Sequence, residues 1–180
     1  VRASVGASEV ANFANHKFTG KGAKAFLNKV LAGRIPGPGR VNLTPMLLES
    51  GKLNGDLIVA CIDEETFYLF GSSVAQNMHL RWFEKHLEGV QDVVYKNMTD
   101  DFHGIAISGP NSQELLSRLS REDVRSEAFK FRDIKDTFIG GVPALCARIS
   151  FTGELGYEIY VAPQYQLKLF EAIEEAGADL

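Results

Sequence analysis

Hydrophobic and polar residues alternate most clearly near the C-terminal end of the chain. Tyr157, Ile159 and Val161 fall on one side of an extended segment, and Glu158 and Tyr160 fall on the other. A period of two residues is typical of a strand with one buried face. We therefore predict a half-buried strand here.

A carboxylate lies in the turn that precedes this strand, Gly153-Glu154-Leu155-Gly156. The two glycines allow a sharp turn and a close approach of the backbone to another group. A buried turn does not need an acid, so Glu154 is either a solvated turn residue or a ligand for a flat, nitrogen-rich molecule. A carboxylate suits the second role because it can accept two parallel hydrogen bonds from paired N–H groups.

Earlier in the chain, apolar residues at helical spacing alternate with strand-like runs. The predicted elements are, in order, a helix from Ala23 to the glycine stop at Gly33, a strand over 41–48, a turn over 49–52, a strand over 53–62, a strand over 67–70 and a helix marked by Leu80, Phe83 and Leu87. The strands on either side of the turn form a hairpin.

The second half of the chain repeats this pattern. Phe18-Thr19-Gly20 is matched by Ile107-Ser108-Gly109, and residues 25–30 are matched by residues 114–119, at a constant offset of 89 positions. The second helix of this pair starts at Asn111-Ser112-Gln113-Glu114, which has the spacing of a capping box.

One unit of strand, helix, hairpin and helix therefore occurs twice. We predict an α+β fold of two pseudo-repeated subdomains, residues 1–98 and 99–180, with antiparallel or mixed sheets covered by helices. Ligand sites in such folds often lie between the copies. This makes Asp56, in the hairpin of the first copy, a possible partner of Glu154 in the second.

Asp56 has two interpretations of its own. It lies at the mouth of an apolar strand, where a carboxylate is usually a surface or turn residue. If it is desolvated instead, it can transfer a proton or stabilise a cation.

Composition restricts the function classes. With 45% hydrophobic residues among 180, the chain can bury a substantial core. The net charge of -4 arises from interspersed charges, which disfavours a nucleic-acid or membrane-surface partner. The chain starts at Val1 without a leader and stops within a helical pattern, so we expect a piece of a longer protein. Cys61 and Cys146 lie in apolar runs and are expected to be buried free thiols, which fits a reducing compartment.

Several kinds of site lack sequence support. No metal site is expected, because the histidines and cysteines do not have ligand spacing: His16, His79, His86, His103, Cys61 and Cys146. No glycine-rich fingerprint for a flavin, a nicotinamide or ATP follows a predicted strand, and no serine has the context of a hydrolase nucleophile.

Five segments, taken in order, resemble the folate-binding aminomethyltransferase family, which includes the glycine-cleavage T-protein and the C-terminal parts of dimethylglycine and sarcosine dehydrogenases. They are Phe18-Thr19-Gly20-Lys21-Gly22-Ala23, Leu43-Thr44-Pro45-Met46-Leu47, Gly55-Asp56-Leu57-Ile58-Val59, Ile107-Ser108-Gly109-Pro110 and Ser150-Phe151-Thr152-Gly153-Glu154-Leu155-Gly156-Tyr157-Glu158. The resemblance spans nearly the whole chain.

The resemblance implies a tetrahydrofolate site. Glu154 would hold the pterin edge, Asp56 would be the catalytic residue near the folate nitrogens, and Met46, Phe70 and Phe151 would line the pterin pocket. The implied reaction is capture of an iminium or formaldehyde equivalent, derived from a methylated amine, to give 5,10-methylenetetrahydrofolate. FAD is expected only on a covalently linked upstream domain.

Two positions differ from the pattern that the resemblance implies. Many relatives carry tyrosine where this chain has Phe151, and Gly71 replaces an asparagine of the T-protein, as in the dehydrogenase branch. Three functions stay open: the folate module of a dimethylglycine- or sarcosine-dehydrogenase-like flavoenzyme, a stand-alone aminomethyltransferase or related demethylase, and a non-catalytic folate-fold binding module. The expected location is the cytoplasm of a bacterium or the mitochondrial matrix of a eukaryote.

Overall fold

The computed structural model describes residues 1–10 and 12–180, which form two compact units. The first unit comprises Asn12–Thr99, and the second comprises residues 1–10 together with Asp100–Leu180. Each unit combines a five-stranded antiparallel sheet with two helices. The predicted α+β class is confirmed.

The strands are β1 (Gly6–Glu9), β2 (Ala14–Thr19), β3 (Arg40–Leu47), β4 (Leu53–Cys61), β5 (Thr66–Gly71), β6 (Val94–Asn97), β7 (His103–Ser108), β8 (Ile134–Ile139), β9 (Val142–Ala147) and β10 (Gly156–Val161). The helices are α1 (Ala23–Val30), α2 (Gln76–Leu87), α3 (Ser112–Leu119) and α4 (Gln166–Ala176). Short 3-10 turns at Ser73–Ala75 and Pro163–Tyr165 precede α2 and α4. No helix among the described residues is long and apolar enough to cross a bilayer.

In the first unit the strand order is β3-β4-β5-β2-β6. The predicted hairpin is β3 with β4, and the predicted first helix is α1, which stops at Val30 rather than at Gly33. Apolar side chains of α1, α2 and the sheet share one core, which includes Phe18, Leu27, Phe67 and Phe83.

In the second unit the strand order is β8-β9-β10-β7-β1, which repeats the order of the first unit strand for strand. β7 and α3 follow β2 and α1 at the offset of 89 positions seen in the sequence. The helices of this unit pack with its sheet around Ile107, Leu116, Tyr157 and Leu169. The duplication predicted from the sequence is therefore present in the secondary structure.

The edge strand β1 differs from the expected division of the chain, whereas β6 falls in the expected subdomain. β1 precedes the first copy but pairs with β7, while β6 precedes the second copy but pairs with β2. Backbone pairing therefore places residues 1–10 in the second unit, although the sequence division assigned them to the subdomain 1–98. The chain exchanges the edge strands of its two copies.

Two local predictions were wrong. All six residues of β10 are buried, because β10 is an inner strand between β7 and β9 with both of its faces covered. The capping box at the start of α3 does not form: Asn111 makes no side-chain cap, and its Nδ2 donates instead to Ser4 Oγ at 3.1 Å.

Candidate functional site

Asp56 is carried by β4 and lies opposite Pro45 of β3. Its side chain is exposed, while the next residue, Leu57, points into the core of the first unit. Gly55 before it has a φ of 144°, a backbone conformation that side chains disfavour. Asp56 therefore follows directly after a backbone position that only glycine tolerates well.

Met46 and Phe70, the other two site residues predicted on the first unit, are both buried. Met46 has no exposed surface and packs within the core of that unit. Phe70 is 3% exposed and its ring centroid lies 6.5 Å from that of Tyr68. The structure thus assigns Met46 to core packing, and a pterin-lining role for either residue stays a prediction.

Glu154 and Phe151 lie in the loop before β10. Hydroxyl groups brace this loop: Ser150 Oγ accepts from the backbone N–H of Thr152 at 3.2 Å, and Thr152 Oγ1 accepts from that of Glu154 at 3.3 Å. Phe151 is 99% exposed. The nearest cation to Glu154 in a salt bridge is Arg2, at 3.9 Å, and the side chain of Arg2 is almost fully exposed. Such a surface ion pair contributes little to stability.

This loop is joined tightly to the sheet at Gly156. A Cβ on Gly156 would lie 2.7 Å from Ser108 Oγ and 2.8 Å from Ser150 Cβ, so a side chain does not fit there. Ser108 and Ser150 are themselves hydroxyl neighbours at 3.4 Å. The C-terminal end of the loop therefore packs closely against β7 where it enters β10.

Glu158, in the middle of β10, is the acid that the sequence analysis did not select. It lies between Ala106 of β7 and Ala147 of β9 and is 5% exposed. The Tyr160 hydroxyl donates a hydrogen bond to Glu158 Oε2 at 2.5 Å. Burial raises the pKa of Glu158, and the bond from Tyr160 opposes that rise in part. A buried carboxylate with a raised pKa is a stronger candidate for ligand recognition than the half-buried Glu154.

One signal in the sequence points to Glu158. The strand-like run Tyr157-Glu158-Ile159-Tyr160-Val161 contains a single ionisable acid among large apolar and aromatic residues. A solvated face would carry several polar residues, whereas an inner strand reads as a nearly continuous apolar run. A lone acid in such a run is therefore a buried acid.

The predicted site residues fall on both units. Asp56, Met46 and Phe70 belong to the first, and Phe151 and Glu154 belong to the second. Their predicted assembly into one site stays a prediction. Both cysteines are buried free thiols, as predicted. Within the described residues, no group of three potential ligands could hold a metal ion.

Comparison with known proteins decides the family. The family model described as the GCVT N-terminal domain matches residues 1–180. This chain belongs to that family. The family resemblance seen in the sequence motifs is thereby confirmed.

Curated relatives of this GCVT-family chain are of two kinds. Human mitochondrial dimethylglycine dehydrogenase is 31% identical over 97% of this chain, which corresponds to 20% of that protein. The aminomethyltransferase of Natranaerobius thermophilus is 33% identical over 98% of this chain and 48% of that protein. The chain thus spans about a fifth of the first relative and about half of the second.

Solved structures confirm the GCVT-type fold. The glycine cleavage system aminomethyltransferase T of Bartonella henselae matches 96% of this chain and 46% of its own, with a TM-score of 0.83 and 20% identity. A chain of the heterotetrameric sarcosine oxidase of Corynebacterium sp. U-96 matches 97% of this chain and 84% of its own, with a TM-score of 0.76 and 16% identity. At these identities the likeness concerns the fold alone.

Proposed function

We propose that this chain is the tetrahydrofolate-binding, one-carbon-transfer module of a dimethylglycine- or sarcosine-dehydrogenase-like flavoenzyme that forms 5,10-methylenetetrahydrofolate. Membership in the GCVT family supports the transferase chemistry. The similarity to dimethylglycine dehydrogenase supports a methylated amine as the source of the one-carbon unit.

The buried carboxylate of Glu158 is the observation that carries this proposal. A pterin presents paired N–H groups along one edge, and an ionised carboxylate accepts two parallel hydrogen bonds from such an edge. Glu158 is held in place from two sides, since β10 is an inner strand and Tyr160 fixes one of the carboxylate oxygens. The residues present therefore fit a pterin, and Glu158 replaces Glu154 as our candidate for its recognition.

Asp56 and Phe151 have exposed side chains that suit the remaining roles. Bound tetrahydrofolate supplies the nitrogens that accept the one-carbon unit. The Asp56 carboxylate stabilises positive charge on the incoming iminium carbon and can take up the proton that an amine nitrogen loses when it forms the new C–N bond. The ring of Phe151 provides an exposed apolar face for a flat heterocycle.

Gly71 favours the dehydrogenase branch. A Cβ at this position would lie 2.5 Å from Leu57 Cδ2 and 3.2 Å from His79 Nδ1. An asparagine, as the resemblance implies for the T-protein, would require the Leu57 side chain to shift. The packing at the end of β5 in this chain therefore suits glycine.

A stand-alone aminomethyltransferase or related demethylase is the second candidate. It is supported by the aminomethyltransferase of Natranaerobius thermophilus, which is as similar to this chain as the dehydrogenase is. In that case the one-carbon donor would be a carrier-bound aminomethyl group, and no flavin would be needed.

The test is expression of the complete open reading frame that encodes this chain. The purified protein is examined for bound flavin and incubated with dimethylglycine or sarcosine and tetrahydrofolate. Bound flavin together with formation of 5,10-methylenetetrahydrofolate is the expected result. Formation of the same product only from an aminomethylated carrier protein would support the second candidate. A protein that binds tetrahydrofolate but forms no product from either donor would be a non-catalytic binding module.

A further inference from the structure

His79, on α2, is a buried imidazole that interacts with the backbone of Asn54 but forms no hydrogen bond of good geometry within the described part of the chain. The side chain has no exposed surface, and neither Nδ1 nor Nε2 has a hydrogen-bond partner of good geometry among the described residues. Buried polar atoms are nearly always well paired, so an imidazole with such poorly paired nitrogens calls for an explanation.

Two glycines of neighbouring strands make room for this ring. A Cβ on Gly55 of β4 would lie 2.4 Å from His79 Nε2, and one on Gly71 of β5 would lie 3.2 Å from Nδ1. Each ring nitrogen therefore faces a strand backbone at close range. The ring packs against Gly55, the residue that immediately precedes Asp56.

Polar and titratable groups of three strands, β4, β2 and β6, lie around the ring. Asp56 of β4 and the backbone of Asn54 both favour the imidazolium, while His16 of β2 lies with its ring centroid 6.1 Å from that of His79. His16 is in turn hydrogen-bonded through Nδ1 to the hydroxyl of Tyr95, on β6, at 2.8 Å. Burial dominates over these groups and lowers the pKa of His79, so the ring is neutral at physiological pH.

We propose that His79 is a positioning residue for Asp56: its ring packs against Gly55 and holds in place the β4 backbone that carries the Asp56 carboxylate. This inference rests on the proposed function only for the reaction that Asp56 assists. A neutral support keeps the Asp56 carboxylate free to stabilise a cation, whereas an imidazolium at the same place would compete with the cationic one-carbon unit for that carboxylate.

Titration of the histidines in the free protein tests the link between His79 and Asp56 without tetrahydrofolate. The ring resonances are followed by NMR in protein labelled at histidine, and the His79 signal is assigned by its loss in His79→Gln. Because the Asp56 charge favours the imidazolium, Asp56→Asn is expected to lower the pKa of His79, while Glu49→Gln, at an exposed carboxylate in the turn after β3, leaves it unchanged. An unchanged pKa of His79 in Asp56→Asn would overturn the proposal.

Kinetics test the positioning role. His79→Leu removes the polar ring and is expected to lower kcat for 5,10-methylenetetrahydrofolate formation roughly 10- to 100-fold, with the Kd for tetrahydrofolate unchanged. His79→Gln, whose amide can take the place of Nε2, is expected to retain most of kcat. Circular dichroism and binding of tetrahydrofolate show that each variant is folded. Equal kcat in folded His79→Leu and wild type would contradict the role of His79. A wild-type protein that shows the expected shift in the pKa of His79 but has no activity would contradict only the proposed function.

Discussion

The Tyr160 hydroxyl donates to Glu158 Oε2 at 2.5 Å, and both side chains are almost completely buried on the inner strand β10. The burial of this pair makes the stability of the folded protein depend on pH. Burial raises the pKa of Glu158, so the folded protein holds a proton on this carboxyl over a pH range in which the unfolded chain has lost it.

The first prediction concerns the pH dependence of stability. The contribution of Glu158 is fully present below the ordinary glutamate pKa of 4.5 and is lost as the pH rises through its raised pKa in the folded state. Glu158→Gln, which is neutral at every pH, is therefore expected to be more stable than wild type at pH 8 by about 1–3 kcal/mol, with a smaller difference at pH 4. Urea unfolding at both pH values measures this, with Glu154→Gln, at a half-buried acid, as the control. A Glu158→Gln variant that loses stability at pH 8 would contradict the account.

The second prediction compares two buried tyrosines of the same strand. Tyr160→Phe leaves the Glu158 carboxylate without its donor and is expected to cost about 1.5–3 kcal/mol of unfolding free energy, since the hydrogen bond involves an acid. The hydroxyl of Tyr157 has no hydrogen-bond partner among the described residues, so Tyr157→Phe is expected to be neutral or stabilising. Thermal unfolding of the two variants distinguishes them, and equal losses would argue against the special role of the Tyr160 bond.

The third prediction separates exposed from buried apolar candidates for the pterin pocket. Phe151 is 99% exposed, so Phe151→Ala should change stability by less than about 0.5 kcal/mol while weakening tetrahydrofolate binding roughly tenfold. Met46→Ala removes a fully buried side chain and should cost about 2–5 kcal/mol. Chemical denaturation and binding titrations of both variants test this. Unchanged affinity in Phe151→Ala would remove Phe151 from the site.

The fourth prediction concerns Asp56. Asp56→Asn keeps the size of the side chain but removes its charge, so kcat for 5,10-methylenetetrahydrofolate formation should fall about 100-fold while the Kd for tetrahydrofolate stays the same. Glu49→Gln is the matched control at an exposed acid of the same unit. A change confined to Kd would show that Asp56 binds the ligand instead of assisting the chemistry.

Much of the fold could be predicted because the pattern of apolar residues repeats between the two halves of the chain. The offset between Phe18 and Ile107 recurs in the structure between β2 and β7 and between α1 and α3. The exchange of the edge strands could not be predicted, because β1 and β6 are only four residues long and their pairing is set by contacts far along the chain.

The site was harder to predict than the fold. Alternation along a strand shows which residues share a face, but it does not show whether both faces are covered. The prediction of a half-buried strand therefore left Glu158 on a solvated face, although a lone acid in an apolar run indicates burial, and the glycines around Glu154 drew attention to that acid instead. The contact of His79 with Gly55 and Gly71 was equally hidden, because it joins a helix to two strands through space.

The most direct test of the central claim is calorimetric titration of tetrahydrofolate into the wild type, Glu158→Gln and Glu154→Gln, all in the complete protein at neutral pH. We expect the wild type to bind, Glu154→Gln to bind within about threefold of it, and Glu158→Gln to lose at least about tenfold in affinity, since it loses a charge-assisted hydrogen bond worth at least about 1.5 kcal/mol. Absence of binding to the folded wild type, or loss of affinity in Glu154→Gln but not in Glu158→Gln, would contradict the claim that this chain holds a pterin through Glu158.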